Sequence, residues 1–576
     1  RAEALTIELA TQDADIAACC DRITAMNTEA RLLAAKTATW QSLRELPKPD
    51  VRFIARAAES LDKVYRDRKW PESTAATLNA EMAANEYESV QLVIVPLRGK
   101  LNDVQVRCGS LRSGDAVITD VEARPVADVF LPIAGKHGGW RPDVLLGAAD
   151  FDVPTDRAVQ AVWITIHTQP DTVAGRYSGV VTVSAADSTS VTLPITVTVW
   201  GFAVPHKRNL PTQFHFRPNQ IAAYYFGPKA RGEYWKHLTA TMYRRLMTSL
   251  LRYRIGVHPY DDREGQSRSA TAYLFEQREG NKVTALDFVE FDRNTQLLLD
   301  HGVDLLYAGC FLHQKMSGDS GEYWRSFMPK MYEHLQARGW DKSAFVYGYD
   351  EFPPAELADV REQYAVVKEL APTVKYLLTY YKPDCAPAAD DPGYADIWVP
   401  SLGLYSPQLA AERKRHGQTT WAYVVPGFEI YRSNRDYRRL FRTIWQQRCA
   451  GFLYFCTAFL HWNPRPADLN ADGSPRKTFL RPGKGAAGIY HLCYPAGAIP
   501  EDGLNASIRL EAIRDGLEDW EYFNLLKDLI ERAPQPDDQL VETARQVMRQ
   551  VDDPSDKTDP ASQRRAVARM IELLSR

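Results

Sequence analysis

Between residues 212 and 500, short apolar or aromatic runs alternate with longer amphipathic stretches, and this alternation narrows the folds open to the chain. Eight runs read as strands: "TQFHFRPN", "RYRIGVHPY", "VDLLYAGCF", "AFVYGYDE", "VKYLLTYY", "DIWVPSLGLY", "TTWAYVVPG" and "GFLYFCTAF". Helical stretches such as "YWRSFMPKMYEHLQARGW" and "LADVREQYAVVKELAP" lie between most of them. Repeated strand–helix units favour parallel pairing, because each crossover helix returns the chain to the same end of the sheet. Eight of them predict a TIM-type (β/α)8 barrel over residues 206–504.

The flanking segments have a different grain. Residues 1–48 are Ala-rich and helix-prone up to "LPKPD", which predicts a helical lead-in. Residues 49–205 carry short β-branched runs divided by polar and Gly/Pro turns. In one of them Val191, Leu193, Ile195, Val197 and Val199 alternate with Thr192, Pro194, Thr196 and Thr198. A period of two buries one face and wets the other, so this segment predicts a β-sandwich. Residues 505–576 are helical, with an apolar stripe of Ile513, Leu517, Trp520 and Leu525, and are expected to pack on the barrel. The fold class is therefore multidomain α+β and α/β.

Composition removes several functions. Seventy basic and 73 acidic residues are spread without blocks, so no nucleic-acid partner is indicated. No apolar run is long enough to span a membrane. The eight cysteines form no CxxC pair, and the twelve histidines include no HExxH, so neither a metal nor another cofactor is expected. "DLNADG" (468–473) begins like a calcium loop, but position twelve is Phe479 and an Asx/Gly turn suffices. The chain opens at Arg1 without methionine, which fits a removed leader and a secreted or periplasmic protein.

A barrel presents its chemistry at the C-terminal ends of its strands. There the sequence offers Arg217, His258, His313, Tyr349, Asp350, Glu351, Tyr381, Tyr423 and Trp462. The adjacent acids Asp350 and Glu351 stand out. Acids ahead of "PPAELADV" would suit the N-terminus of the next helix. They would also suit glycoside hydrolysis, although neighbours on a strand point to opposite sides and so flank a sugar poorly as acid and nucleophile. Adjacency fits better with substrate assistance, in which a 2-acetamido oxygen attacks its own anomeric carbon.

"VYGYDEFPP" resembles the tandem Asp-Glu motif of glycoside hydrolase family 123, the retaining β-N-acetylgalactosaminidases. "AANEYESVQLVIVP" resembles that family's N-terminal sandwich, "AGFLYF" its last barrel strand, and "GIYHLCYPAG" with "SIRLEAIRDGLEDWEYFNLL" the close of its catalytic domain. The resemblance implies that Asp350 orients the acetamido group and that Glu351 is the general acid/base. Tyr349, Tyr381, Tyr423 and Trp462 are then expected to contact the sugar, with His258, His313 and Arg217 as further substrate-binding candidates. The implied partner is a glycan: a glycolipid, a glycoprotein glycan or an oligosaccharide. The chain departs from the family at Phe455, where a tryptophan is usual, and in "GKGAAG", which lacks an acid. A glycosidase for another sugar, or a non-catalytic glycan-binding protein, are the competing expectations.

Overall fold

The computed structural model describes residues 26–42, 50–68, 76–131, 133, 137–147, 150–231, 234–259, 274–425, 427–458, 487–497, 499–533 and 538–576. The loop 468–473 and most of the lead-in lie outside these residues. The chain divides into two compact units, Arg1–Gly201 with Asp468–Ala487, and Phe202–Ala467 with Gly488–Arg576.

In the first unit, helix α1 (26–42) precedes two sheets. One orders β1 (Phe53–Glu59), β3 (Tyr87–Pro96), β10 (Gln160–His167), β7 (Val121–Leu131) and β8 (Gly139–Leu145). The other orders β2 (Leu78–Ala84), β12 (Val191–Ala203), β11 (Gly175–Ser184), β4 (Leu101–Cys108) and β9 (Asp150–Val153), with β5 (Leu111–Ser113) paired to β11 and β6 (Ala116–Ile118) to β5. Leu92, Ile94 and Ile164 of the first sheet share one core with Val181, Leu193, Ile195 and Val197 of the second. The alternation along β12 is realised: Leu193, Ile195, Val197 and Val199 are buried, while Thr192 and Pro194 face water.

The second unit holds parallel strands. One sheet runs β17 (Leu306–Cys310), β18 (Ala344–Tyr347), β19 (Lys375–Tyr380), β20 (Ile397–Pro400) and β21 (Thr419–Thr420), all parallel. The other runs β14 (Val257–Pro259), β13 (Thr212–Phe216), β23 (Phe452–Tyr454) and β22 (Ala422–Tyr423), again parallel. An isolated bridge between Ser401 and Tyr423 links the two arcs. All eight predicted segments form strands, yet the hydrogen bonds do not close a (β/α)8 barrel. Among the described residues no ladder joins β14 to β17. Between β14 and β17 the described chain makes the hairpin β15 (Phe275–Glu279) and β16 (Lys282–Asp287) before α4 (Val289–Leu299).

Helices α2 (Pro218–Phe226) and α3 (Ala240–Leu251) follow β13, and α5 (Gly318–Arg338), α6 (Leu357–Leu370), α7 (Pro407–Arg415) and α8 (Asn434–Gln446) follow β17, β18, β20 and β22. The strands of the larger arc separate two apolar clusters. Tyr307, Phe345, Tyr347, Leu377, Val399 and Tyr423 form one. Ala308, Val346, Leu378 and Trp398 meet Trp324 and Phe327 of α5 in the other. Each large apolar side chain buried this way contributes about 1.5–3 kcal/mol.

Three helices close the chain: α9 (Ile508–Arg532), α10 (Gln539–Asp552) and α11 (Pro560–Leu574). The expected apolar stripe of α9 is only part of its contact surface, because Arg509, Glu511, Arg514, Asp515, Glu518 and Asp519 are buried as well. Asp519 takes two hydrogen bonds from Arg438 of α8, at 2.6 and 2.9 Å, and one from Arg564 of α11 at 2.5 Å. Burial alone would raise the Asp519 carboxyl, but the two guanidinium groups outweigh it and hold it below the ordinary range. Its stabilising effect is therefore present above the unfolded aspartate value of about 3.9 and is lost as pH falls through the depressed folded one. Asp519→Asn removes the nearest counter-charge of two buried guanidinium groups, leaving Asp515 and Glu518 at 3.9 and 4.0 Å, and is expected to cost about 3–5 kcal/mol in urea unfolding; Leu525→Ala, away from this network, should cost less.

Candidate active site

Strand β18 is buried along its whole length between β17 and β19. Phe345 and Tyr347 face the inner cluster and Val346 the outer one. The regular strand stops at Tyr347, four residues before Glu351. Gly348 then lies against the Tyr376 ring, where a Cβ would come 2.1 Å from Cζ, and its N–H donates to the Leu377 carbonyl at 2.7 Å.

Thr379 of β19 holds the next three residues. Its N–H donates to the Tyr349 carbonyl at 3.1 Å, and the Glu351 N–H donates to both its carbonyl and its Oγ1, each at 3.1 Å. The Thr379 hydroxyl donates to Asp350 Oδ1 at 2.8 Å, which also accepts from the Tyr347 hydroxyl at 2.9 Å. Glu351 itself sits in the left-handed region at φ 46°. A side chain longer than Asn rarely adopts that conformation, and holding it costs on the order of 1–3 kcal/mol.

The two acids thus receive different surroundings. Asp350 is held by two hydroxyl groups. The Glu351 carboxylate opens to solvent on one side and accepts a hydrogen bond from the Tyr423 hydroxyl of β22. Partial burial pushes the Glu351 carboxyl up, the negative charge of Asp350 adds to that, and the Tyr423 hydrogen bond pulls partly against it. Tyr423 is pushed up in turn by burial, by both acids and by Tyr381. Burial and the charge of Glu351 likewise raise Tyr490, whose ring meets Phe455 edge-on at 5.7 Å. Phe455 also packs against His215 at 5.7 Å and under the Arg217 guanidinium at 5.8 Å.

Of the residues expected from the sequence, Asp350, Glu351 and Tyr423 are in mutual hydrogen-bond or charge contact, with Tyr381 exposed beside them. Arg217 joins the same corner through Phe455. Three others do not face it. Tyr349 is buried in the outer cluster with Phe352. Its place at the strand end made it a sugar-contact candidate, but the regular strand stops at Tyr347 and the Tyr349 side chain turns to the same cluster as Val346. His313 follows Tyr349, with its ring 5.0 Å from that tyrosine and its Nδ1 bonded to Glu356 at 2.7 Å. His258 is buried between Tyr307 and Phe345, and burial together with Arg208 lowers it to about 3, so it stays neutral. Trp462 lies outside the described residues. Helix capping does not account for the acids: α6 starts at Leu357 without a side-chain cap. Tyr347, Thr379 and Tyr490 escaped the sequence reading, since a hydroxyl near a strand end carries no local pattern. Among the described residues no group of His, Cys, Asp and Glu is arranged to hold a metal.

Residues 309–526 match the family model described as glycoside hydrolase 123, catalytic domain. The chain carries a glycoside hydrolase 123 catalytic domain. By that domain it is a glycosidase, and Asp350, Glu351, Thr379, Tyr423 and Tyr490 all lie within the match. A family 123 glycoside hydrolase from Clostridium perfringens, described for glycolipid glycan hydrolysis, is structurally similar at TM-score 0.64 and 14% identity, covering 91% of this chain and 98% of its own. A family 39 glycoside hydrolase from the gut symbiont Bacteroides cellulosilyticus WH2 covers 77% of this chain and 82% of its own at 9% identity, with a TM-score of only 0.32. No curated protein matches the sequence.

Carboxyl NMR titration should place Glu351 above the unperturbed value of about 4.3. In Tyr423→Phe it should move further up, because the lost hydroxyl favoured the ionised form. Gly348→Ala forces a methyl into the Tyr376 ring and is expected to lower stability by about 1–3 kcal/mol in thermal or urea unfolding.

Proposed function

We propose that this glycosidase releases terminal β-linked N-acetylgalactosamine with retention, using the substrate's own 2-acetamido group as nucleophile. The observation that carries the reading is the unequal treatment of two adjacent acids, one fixed by Tyr347 and Thr379 and the other raised beside Tyr423.

In the first step the acetamido oxygen bonds to the anomeric carbon as the glycosidic bond breaks. Glu351 gives its proton to the departing oxygen, and Asp350 accepts the amide N–H hydrogen bond and balances the charge of the oxazolinium ion. Glu351, now ionised, takes a proton from water as that water adds to the anomeric carbon and reopens the ring. Two inversions give net retention. Raising Glu351 keeps more of it protonated at a given pH, and the neighbouring carboxylate reinforces that. Tyr381, exposed near Tyr423, is assigned to contact with the aglycone. The parallel arcs are read as an incompletely paired barrel of (β/α)8 type, with the acids at the strand ends where such folds carry their sites. The natural substrate is proposed to be a glycolipid, glycoprotein or free glycan met outside the cytoplasm.

Glu351→Gln and Asp350→Asn are each expected to lose about 10²–10⁴-fold in kcat on an aryl N-acetyl-β-galactosaminide. Wild-type kcat/KM should fall on the alkaline side as Glu351 loses its proton, and a thiazoline analogue of the bicyclic intermediate should inhibit. Turnover only of sugars lacking the 2-acetamido group, or full activity in both variants, would overturn the proposal.

A further inference from the structure

Arg509 lies in the first turn of α9, entirely buried, 158 residues along the chain from Glu351 (509 − 351). Its Nη1 donates to the Phe428 carbonyl and to the Gly488 carbonyl, both at 2.7 Å. Its Nη2 donates to the His491 carbonyl and, at 3.3 Å, to the Tyr494 hydroxyl. Gly488 and His491 are the two ends of a turn closed by the His491 N–H on the Gly488 carbonyl at 3.1 Å, and Tyr490 is inside that turn. Phe428 lies five residues past Tyr423 (428 − 423), which bonds to Glu351. The Ser507 hydroxyl, the N-cap of α9, fastens the same segment through the Leu492 carbonyl at 2.8 Å.

A buried guanidinium is costly unless its donors are met, and here carbonyls from two separate segments meet them. The planar fork imposes the spacing between those segments. An ammonium has one centre and cannot span the same set of acceptors. The consequence reaches the chemistry, because Tyr490 lies within reach of the Glu351 charge and packs edge-on against Phe455, whose neighbour His215 meets edge-on the Tyr347 that bonds Asp350.

We infer that Arg509 is a positioning residue for the site: by gripping both ends of the 488–491 turn and the chain at Phe428, it sets Tyr490 against Phe455 next to Glu351. The inference rests on Glu351 being the proton donor. Glu351→Gln tests that premise separately, since loss of the alkaline limb in this variant supports the premise whatever Arg509 does.

The decisive experiment compares wild type, Arg509→Lys, Tyr490→Phe and the double variant by pH profile of kcat/KM on an aryl N-acetyl-β-galactosaminide. A slightly misplaced group beside the reacting atoms is expected to cost about 10²-fold. The alkaline limb of Arg509→Lys should move in the same direction as that of Tyr490→Phe. The double variant should be no worse than Arg509→Lys alone, the non-additivity expected when one residue acts through another. Millimolar guanidinium should restore activity to Arg509→Ala while leaving wild type unchanged; if Arg509→Ala does not fold, the Lys series decides alone. Additive losses overturn the inference. So does an unmoved limb in either single variant, even where stability falls.

Discussion

Thr379 is the residue on which the site's geometry depends. Its N–H, carbonyl and hydroxyl engage Tyr349, Glu351 and Asp350 in turn, so one side of one strand dictates where three consecutive residues go. Its hydroxyl gives its proton to Asp350 and accepts from the Glu351 N–H. That full use of a small side chain compensates for backbone amides that leave the regular ladder when β18 ends. It also turns Asp350 inward and Tyr349 outward, a choice that local propensity would not make.

Around this node the second unit is stiffened by two kinds of burial. The apolar clusters on either side of the larger arc hold the strands in register. The charged face of α9 ties later helices to α8 through Arg438, Asp519 and Arg564, and ties the Tyr490 turn through Arg509. Buried ions are a poor source of net stability, yet they are selective about geometry, since a misplaced partner leaves a charge with nothing to balance it. A helix that reads as an amphipathic cap thus connects the chain's end to the neighbourhood of its acids.

The sequence made some of this legible for identifiable reasons. Apolar or aromatic residues concentrated in short segments marked the parallel strands, because strands buried on both faces are largely hydrophobic. The Asp350–Glu351 pair was visible because two acids after a buried strand are expensive without a use. What stayed hidden depended on tertiary context. The absence of a β14–β17 ladder cannot be read from either strand's residues. The side to which Tyr349 turns depended on where β18 stops, a matter of the Gly348 contact with Tyr376. The hydroxyls of Thr379 and Tyr490, and the Phe428 partner of Arg509, come from segments remote in sequence, and the Tyr347 hydroxyl, though only three residues from Asp350, has no local pattern that marks it.

The left-handed backbone at Glu351 also constrains this position's history. On the proposed function a glutamate is kept there for its carboxylate, against the preference of its own main chain. Were the chemistry to be abandoned in some lineage, glycine or asparagine would relieve the backbone at once, whereas valine or isoleucine would worsen it. Decay at this site is therefore biased in direction. A descendant that has lost hydrolysis and kept the scaffold should carry a characteristic scar, an Asp-Gly or Asp-Asn pair, by which a silent copy could be told from a working one.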